Sequence, residues 1–522
     1  MHNNSYESFQ YNSCISRGIC SINPRTSALQ TVLVLYLKLF AKYAIDLELK
    51  QEIKNFLLNT IPITIFNPEF NDNSYFFAIS NFKKYFPQII EEYKTLNVEK
   101  EHEIEKHTQA IFEETSDIIE AIRYGEKLFN RAQVKIPQEI RNLYSIMLVI
   151  TKSLSINLLD LESYDKKAPN AFNTILNLLS EINIESKDSN ELKIKISEAC
   201  KTNIKLMKTI RKAQEEKFGI QTERDVSYST RPNKAILVVG SNIRELEKIL
   251  DALKNEEIDI YTHDEMMLAH TFPKFSEFKN LKGQFGQGLE NCLLDFATFP
   301  GPIILTKHSL HNIETLYRGM LFTTDYTTSP KGIIKIQNNN FTEVLDAAKK
   351  SKGFKHGKTC ESVSIGYNHK KMISIIKEKL ETNAFDKIFI ISSDDYSFEQ
   401  RAYFEKLIKL TPSNILIISF SYNIEKENFI HINTCFDNYS WVRVFEDLKE
   451  FNIKTTFFVP KCERDTISQI IYLSEIEDSS VYLGKCTPIV LNPSLINTLK
   501  NTFGINNIST AKKDLEQILE EK

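Results

Sequence analysis

The residues best suited to chemistry come first in the chain. In SCISRGICSINPRTSALQ, Ser13 to Gln30, Cys14 and Cys20 stand with five residues between them, immediately ahead of an apolar run. Thiols at a fixed spacing beside a helix start are the material of a metal site or a disulfide. The other six of the eight cysteines are scattered singly. The N-terminal MHNNSYESFQYNS is polar and has no early positive charge followed by an apolar stretch, so it does not read as a secretory signal. Unevenly spaced cysteines without such a signal point to a reducing, cytoplasmic setting with free thiols or metal ligands. With no third ligand nearby, two thiols leave three readings: a cluster bridged between subunits, a zinc ion, or two residual buried thiols.

The elements that must position such groups follow two grammars. Over roughly the first two hundred residues, apolar stripes predict helices: Ile104, Ile111, Ile118 and Ile122 in EIEKHTQAIFEETSDIIEAI, and Ile204, Met207, Ile210 and Ala213 in a segment ending at Gly219. Past Arg231 and Pro232 the pattern changes. KAILVVG, an amphipathic segment from Arg244 to about Lys254, and IDIY read as strand, helix, strand, the unit of a parallel sheet. PIIL adds a strand, and after the Gly/Lys/His-rich KSKGFKHGK the runs KIFIIS, NILIIS and TTFFV repeat the alternation. Open α/β sheets collect functional residues past the C-terminal ends of their strands, so the residues following ILVVG, IDIY, PIILT, IFIIS and ILIIS are the candidates. No Walker loop or GxGxxG pattern follows any of these strands.

Composition narrows the partners. A chain of 522 residues is too long for one core. Its formal charge of -3 gives no reason to expect nucleic acid or a membrane surface, which leaves an unknown protein as the possible partner. The most apolar stretch, LQTVLVLYLKLFAKYAI, is broken by Lys38 and Lys42, is too short to span a bilayer, and reads as a buried helix.

Several blocks, in order and spacing, resemble the hybrid cluster protein (prismane, or hydroxylamine reductase) family across nearly the whole chain: CISRGICSINPRTSALQTVLVLYLKLFAKYA, IDIYTHDEMMLAHTFPKF, FGQGLENCLLDFATFPGPIILT, SIGYNHKKMISIIKEKL, INTCFDNYS and the segment around CERDTISQIIYL. The resemblance implies a multidomain α + α/β fold. A helical N-terminal domain (residues 1–230) would precede two Rossmann-like parallel-sheet domains (231–360 and 361–522). It also implies an iron–sulfur cubane on four N-terminal cysteines and, where the domains meet, a hybrid iron–sulfur–oxygen cluster that reduces hydroxylamine or nitric oxide.

Carried over residue by residue, the implied ligands are incomplete. Cys14 and Cys20 match the second cubane pair, but Ser5 and Ser8 stand in the region of the first. At the hybrid cluster, Glu265, Cys435 and Glu463 match two glutamates and one cysteine. Ser241 stands where the histidine belongs, and Ser309, Asp394 and Ser421 stand where three further cysteines belong. His263, His270, His308 and Cys462 lie beside these positions; His308 and Cys462 would point to the opposite face of an extended segment. The resulting expectation is a degenerate homologue with no cofactor, no catalytic residues and no reductase activity, a pseudoenzyme retained for a binding or structural role. Two alternatives stay open. The chain is an active reductase with an iron–sulfur cluster on unusual ligands, or Glu265, Asp394, Cys435 and Glu463 hold a single metal ion.

Overall fold

The computed structural model describes residues 24–64, 72–96, 109, 111–182, 188–286, 292–307, 320–324, 333–393, 398–434, 437, 439–461, 464–486 and 493–520. Cys14, Cys20, Ser309, Asp394, Cys435 and Glu463 lie outside them.

The N-terminal part is helical, and its centre is the helix Gln138–Ser163. This helix, rather than the Lys-broken stretch near residue 35, is the described element long and apolar enough to cross a membrane, but 94 % of its apolar window is buried inside the protein. Pro169–Glu181 and Ser189–Phe218 pack against it and Pro24–Ala44 packs on Pro169–Glu181, all sharing one core. Ser189–Phe218 begins where the Asp188 side chain accepts from the Asn190 N–H and ends at Gly219, whose φ of 90° stops the helix. Ile204, Met207, Ile210 and Ala213 are buried along it, as their spacing predicts. The helix expected to run through EETSDIIEAI is interrupted. Asp117 Oδ1 accepts from the N–H groups of Ile119 and Glu120, capping a new helix, Ile118–Lys135.

Two six-stranded sheets follow, with every described pairing in them parallel. The first has the spatial order Leu281–Gln284, Asp259–His263, Ala235–Val239, Ile303–Leu305, Leu321–Thr323, Ile333–Lys335. The second runs Phe429–His431, Ile415–Ser419, Lys387–Ile391, Lys454–Lys461, Ser479–Cys486, Asn506–Asn507. In each, the strand earliest in sequence lies in the middle and the chain turns back on its other side. That reversal opens a crevice beyond the strand ends. The runs AILVV, IIL, KIFII and ILIIS are almost wholly buried because helices cover both faces of a parallel sheet. The fold is a helical domain followed by two Rossmann-like α/β domains. A two-stranded antiparallel ribbon, Arg224–Ser227 with Ser362–Ile365, joins the chain segments on either side of the first sheet.

Candidate functional site: the cavity where three domains meet

Both crevices open toward one another. After Ala235–Val239, Gly240 turns at φ 122° and delivers Ser241 and Asn242, and Asn242 caps the helix Ile243–Leu253 by accepting from the Glu245 N–H at 3.0 Å. Across the reversal, Lys307 follows Ile303–Leu305; its N–H donates to Glu245 Oε2 at 3.0 Å. The strand Asp259–His263 is left through Asp264, at φ 59°, which starts a 3-10 stretch carrying Glu265. From the second sheet, Lys454–Lys461 leads to Arg464 and Asp465, the latter at the start of the helix Thr466–Ser474. Ser241, Glu265, Lys307 and Arg464, with Asp160 and Arg211 from the helical domain, border one cavity of about 170 Å³.

Its walls are ion-paired. The Arg211 guanidinium donates to both oxygens of Asp437, Nη1 to Oδ2 at 2.9 Å and Nη2 to Oδ1 at 3.0 Å, with side chains only 6 % and 3 % exposed. Asp437 also accepts from the Ser440 hydroxyl at 2.5 Å and the Tyr439 N–H at 3.1 Å. Burial alone would raise the Asp437 pKa, but Arg211 and these donors outweigh it and hold the carboxyl below its ordinary range. Arg211 Nη1 continues to Gln221 at 2.7 Å and Gln221 to Thr271 at 2.9 Å, so one network links all three domains.

A second network surrounds Asp465, which is almost fully buried. It accepts from Arg464 Nη2 at 2.9 Å, from Asn157 Nδ2 at 2.9 Å and from the Ser153 hydroxyl; Asn203 Nδ2 donates to Ser153 at 2.9 Å. Burial works against the charge on Arg464, but Asp465 beside it, then Glu265 and Asp160, hold it protonated. Asp160 is pushed up to about 7 by burial, an effect Arg464 opposes and Glu245 and Asp465 reinforce.

Of the implied ligand positions within the described residues, Ser241 and Glu265 reach the cavity. Ser421 does not border it; its hydroxyl donates to the Ser392 carbonyl between two strands. The flanking histidines are engaged elsewhere. His263 Nε2 is 3.0 Å from Asp295 Oδ2, and His270 Nε2 is 2.8 Å from the Thr262 hydroxyl, with burial holding the His270 pKa down at about 4. Sequence reasoning had not selected Asp160, Arg211, Asp437, Arg464 or Asp465. Three of the five stood inside quoted blocks, Asp437 in INTCFDNYS and Arg464 with Asp465 in CERDT, and a charged residue in an apolar run was the signal for Asp160.

The model of the prismane/CO dehydrogenase family matches residues 10–516. The chain belongs to the prismane/CO dehydrogenase family. A hydroxylamine reductase of Thermodesulfovibrio yellowstonii is 23% identical over 97% of this chain and 98% of its own length. One of Methanocella arvoryzae is 23% identical over 97% of each. Among solved structures, one titled for NiZn[Fe4S4] and NiNi[Fe4S4] clusters in the alpha subunits of acetyl-CoA synthase/carbon monoxide dehydrogenase aligns with 95% of this chain and 81% of its own, at 10% identity and a TM-score of 0.47.

Membership corrects one expectation. The sequence reading assigned no cofactor, with a single metal ion or an iron–sulfur cluster as alternatives; the prismane family carries iron–sulfur clusters, so a cofactor-free chain is not what membership implies. Of the four residues of the single-ion alternative, only Glu265 is among the described residues; Asp394, Cys435 and Glu463 lie outside them. The cavity is rich in oxygen and nitrogen donors. Its described lining offers hydroxyl, carboxylate, amide, guanidinium and ammonium groups, and its one sulfur is the thioether of Met207. The implied cluster positions Ser309, Asp394, Cys435 and Glu463 lie outside the described residues, and among the described ones Arg464 holds Asp465 and Arg211 holds Asp437.

Proposed function

We propose that this prismane-family chain does not reduce hydroxylamine or nitric oxide at the three-domain cavity, and that the cavity serves a binding or structural role. The observation that supports this reading is the pairing of Arg464 with Asp465 and of Arg211 with Asp437 at the meeting of the domains, where the resemblance implies a redox centre. Reduction of hydroxylamine needs a centre that stores and passes electrons. Paired guanidinium and carboxylate groups instead fix the relative positions of the domains, and they leave a polar cavity suited to a small hydrogen-bonding ligand. The scattered thiols favour a reducing, cytoplasmic setting.

The test is direct. Protein purified anaerobically from an iron-supplied host is given hydroxylamine and reduced methyl viologen. The reading expects no hydroxylamine-dependent oxidation above a protein-free blank, and sustained turnover overturns it. A second reading, an active reductase with unusual ligands, is favoured by one observation: relatives matched over nearly their full length are named hydroxylamine reductase.

A further inference from the structure

The lysine-rich segment between the two sheet domains is a built surface. Its inward-facing residues are fixed. The Gly353 N–H donates to the Pro300 carbonyl at 3.1 Å, and the Phe354 N–H to the Asn233 carbonyl at 2.9 Å. Lys358 and Thr230 exchange backbone hydrogen bonds at 2.9 and 3.0 Å, and Lys234 Nζ donates to the Ser351 carbonyl. A Cβ at Gly353 would lie 2.6 Å from the Asn233 carbonyl oxygen, and one at Gly357 would lie 2.8 Å from that of Thr230, so the glycines are what let the two backbones approach. The Phe354 ring packs against Tyr261, Phe285 and Phe299.

The outward-facing residues are cations. Lys352, Lys355, His356 and Lys358 are all exposed. Neighbouring cations are neutralised: Lys349 meets Glu256 at 3.1 Å and Arg231 meets Asp259 at 2.6 Å. Among the described residues, no carboxylate lies within ion-pair distance of Lys352, Lys355 or Lys358. Like charges held on a pinned backbone cannot move apart as they would on a free loop, which sets up an attractive field before any partner arrives.

We propose that the ribbon of residues 352–358 docks the acidic face of a partner protein, with Lys352, Lys355 and Lys358 as its contacts. The surroundings favour protein over the other polyanions. Single-stranded nucleic acid is held by successive bases stacked on aromatic side chains, and the ribbon's phenyl ring, Phe354, is turned inward, leaving the imidazole of His356 as its lone exposed ring. A membrane surface needs an apolar anchor beside the basic one, and the ribbon exposes none. The chain as a whole carries a formal charge of -3, so it offers a polyanion no general attraction, and a local basic ribbon suits a local acidic surface. The proposal is independent of what the three-domain cavity does.

The test uses the full chain and a fluorescein-labelled poly-glutamate peptide, followed by anisotropy at about 20 mM and about 200 mM NaCl. Binding is expected at low salt and to weaken at high salt. The variant K352E/K355E/K358E should weaken it about tenfold or more. K352Q/K355Q/K358Q should lose less, and the exposed control K370E/K371E/K406E should stay within about twofold of the unmodified protein, all with unchanged far-UV circular dichroism. Equal losses in the ribbon and control variants overturn the proposal, as does no loss in the ribbon variant. An RNA duplex or phosphatidylserine vesicles binding as tightly as the peptide, with the same lysine dependence, also overturns it.

Discussion

Arg211 and Asp437 are 226 positions apart in the chain, yet they form a two-bond ion pair that is almost wholly buried between the helical domain and the second sheet domain. Desolvating both charges is costly, so such a pair fixes geometry more than it adds stability, and its two halves are not separable. Arg211→Met should therefore destabilise the protein by about 3–5 kcal/mol, by stranding Asp437. The double variant R211M/D437L should recover most of that loss. Urea denaturation of the three proteins checks it; a double variant no better than the single one would show that the pair matters for something other than its charges.

Asp465 carries a comparable load with different partners. Arg464, Asn157 and Ser153 all donate to it. Asp465→Ala leaves those buried donors unsatisfied and should cost about 2–4 kcal/mol. Because the lost contacts lie between domains, hydrogen exchange should rise along the start of the helix Thr466–Ser474 before it rises in either sheet. Uniform acceleration throughout the chain would contradict the assignment of Asp465 as an interdomain tie.

How much of this was readable from residues alone depended on the element. KAILVVG, KIFIIS and NILIIS announce themselves because a strand covered on both faces is one unbroken apolar run. Leu321–Thr323 and Phe429–His431, three residues each, carry no period to detect, and the sheets gained them from neighbouring strands rather than from their own pattern. Ser241 and Glu265 stand past strand ends, where functional residues collect, and the family resemblance named them as ligand positions. Arg211 was not, since a cation on a helix stripe reads as a solvated face until its partner, far along the chain, is brought beside it.

Asp160 makes stability depend on pH. The folded state raises its pKa to about 7, so between roughly pH 4 and 7 the native carboxyl keeps a proton that the unfolded chain releases. Stability contributed by this group accordingly falls as pH rises through that window and is level above it. Asp160→Asn removes the decline. The difference in unfolding free energy, variant minus unmodified, should grow by about 2–3 kcal/mol from pH 5 to pH 7.5, measured by denaturation at matched ionic strength. A difference independent of pH would show that Asp160 titrates normally.

The central claim, that the cavity has exchanged redox chemistry for ion pairing, is tested most directly by hydroxylamine-dependent oxidation of reduced methyl viologen. The protein would be purified anaerobically and reconstituted with iron and sulfide, beside its Glu265→Gln variant. The account predicts that both proteins stay at the rate of the blank. Turnover by the unmodified protein that is lost in the variant would contradict it.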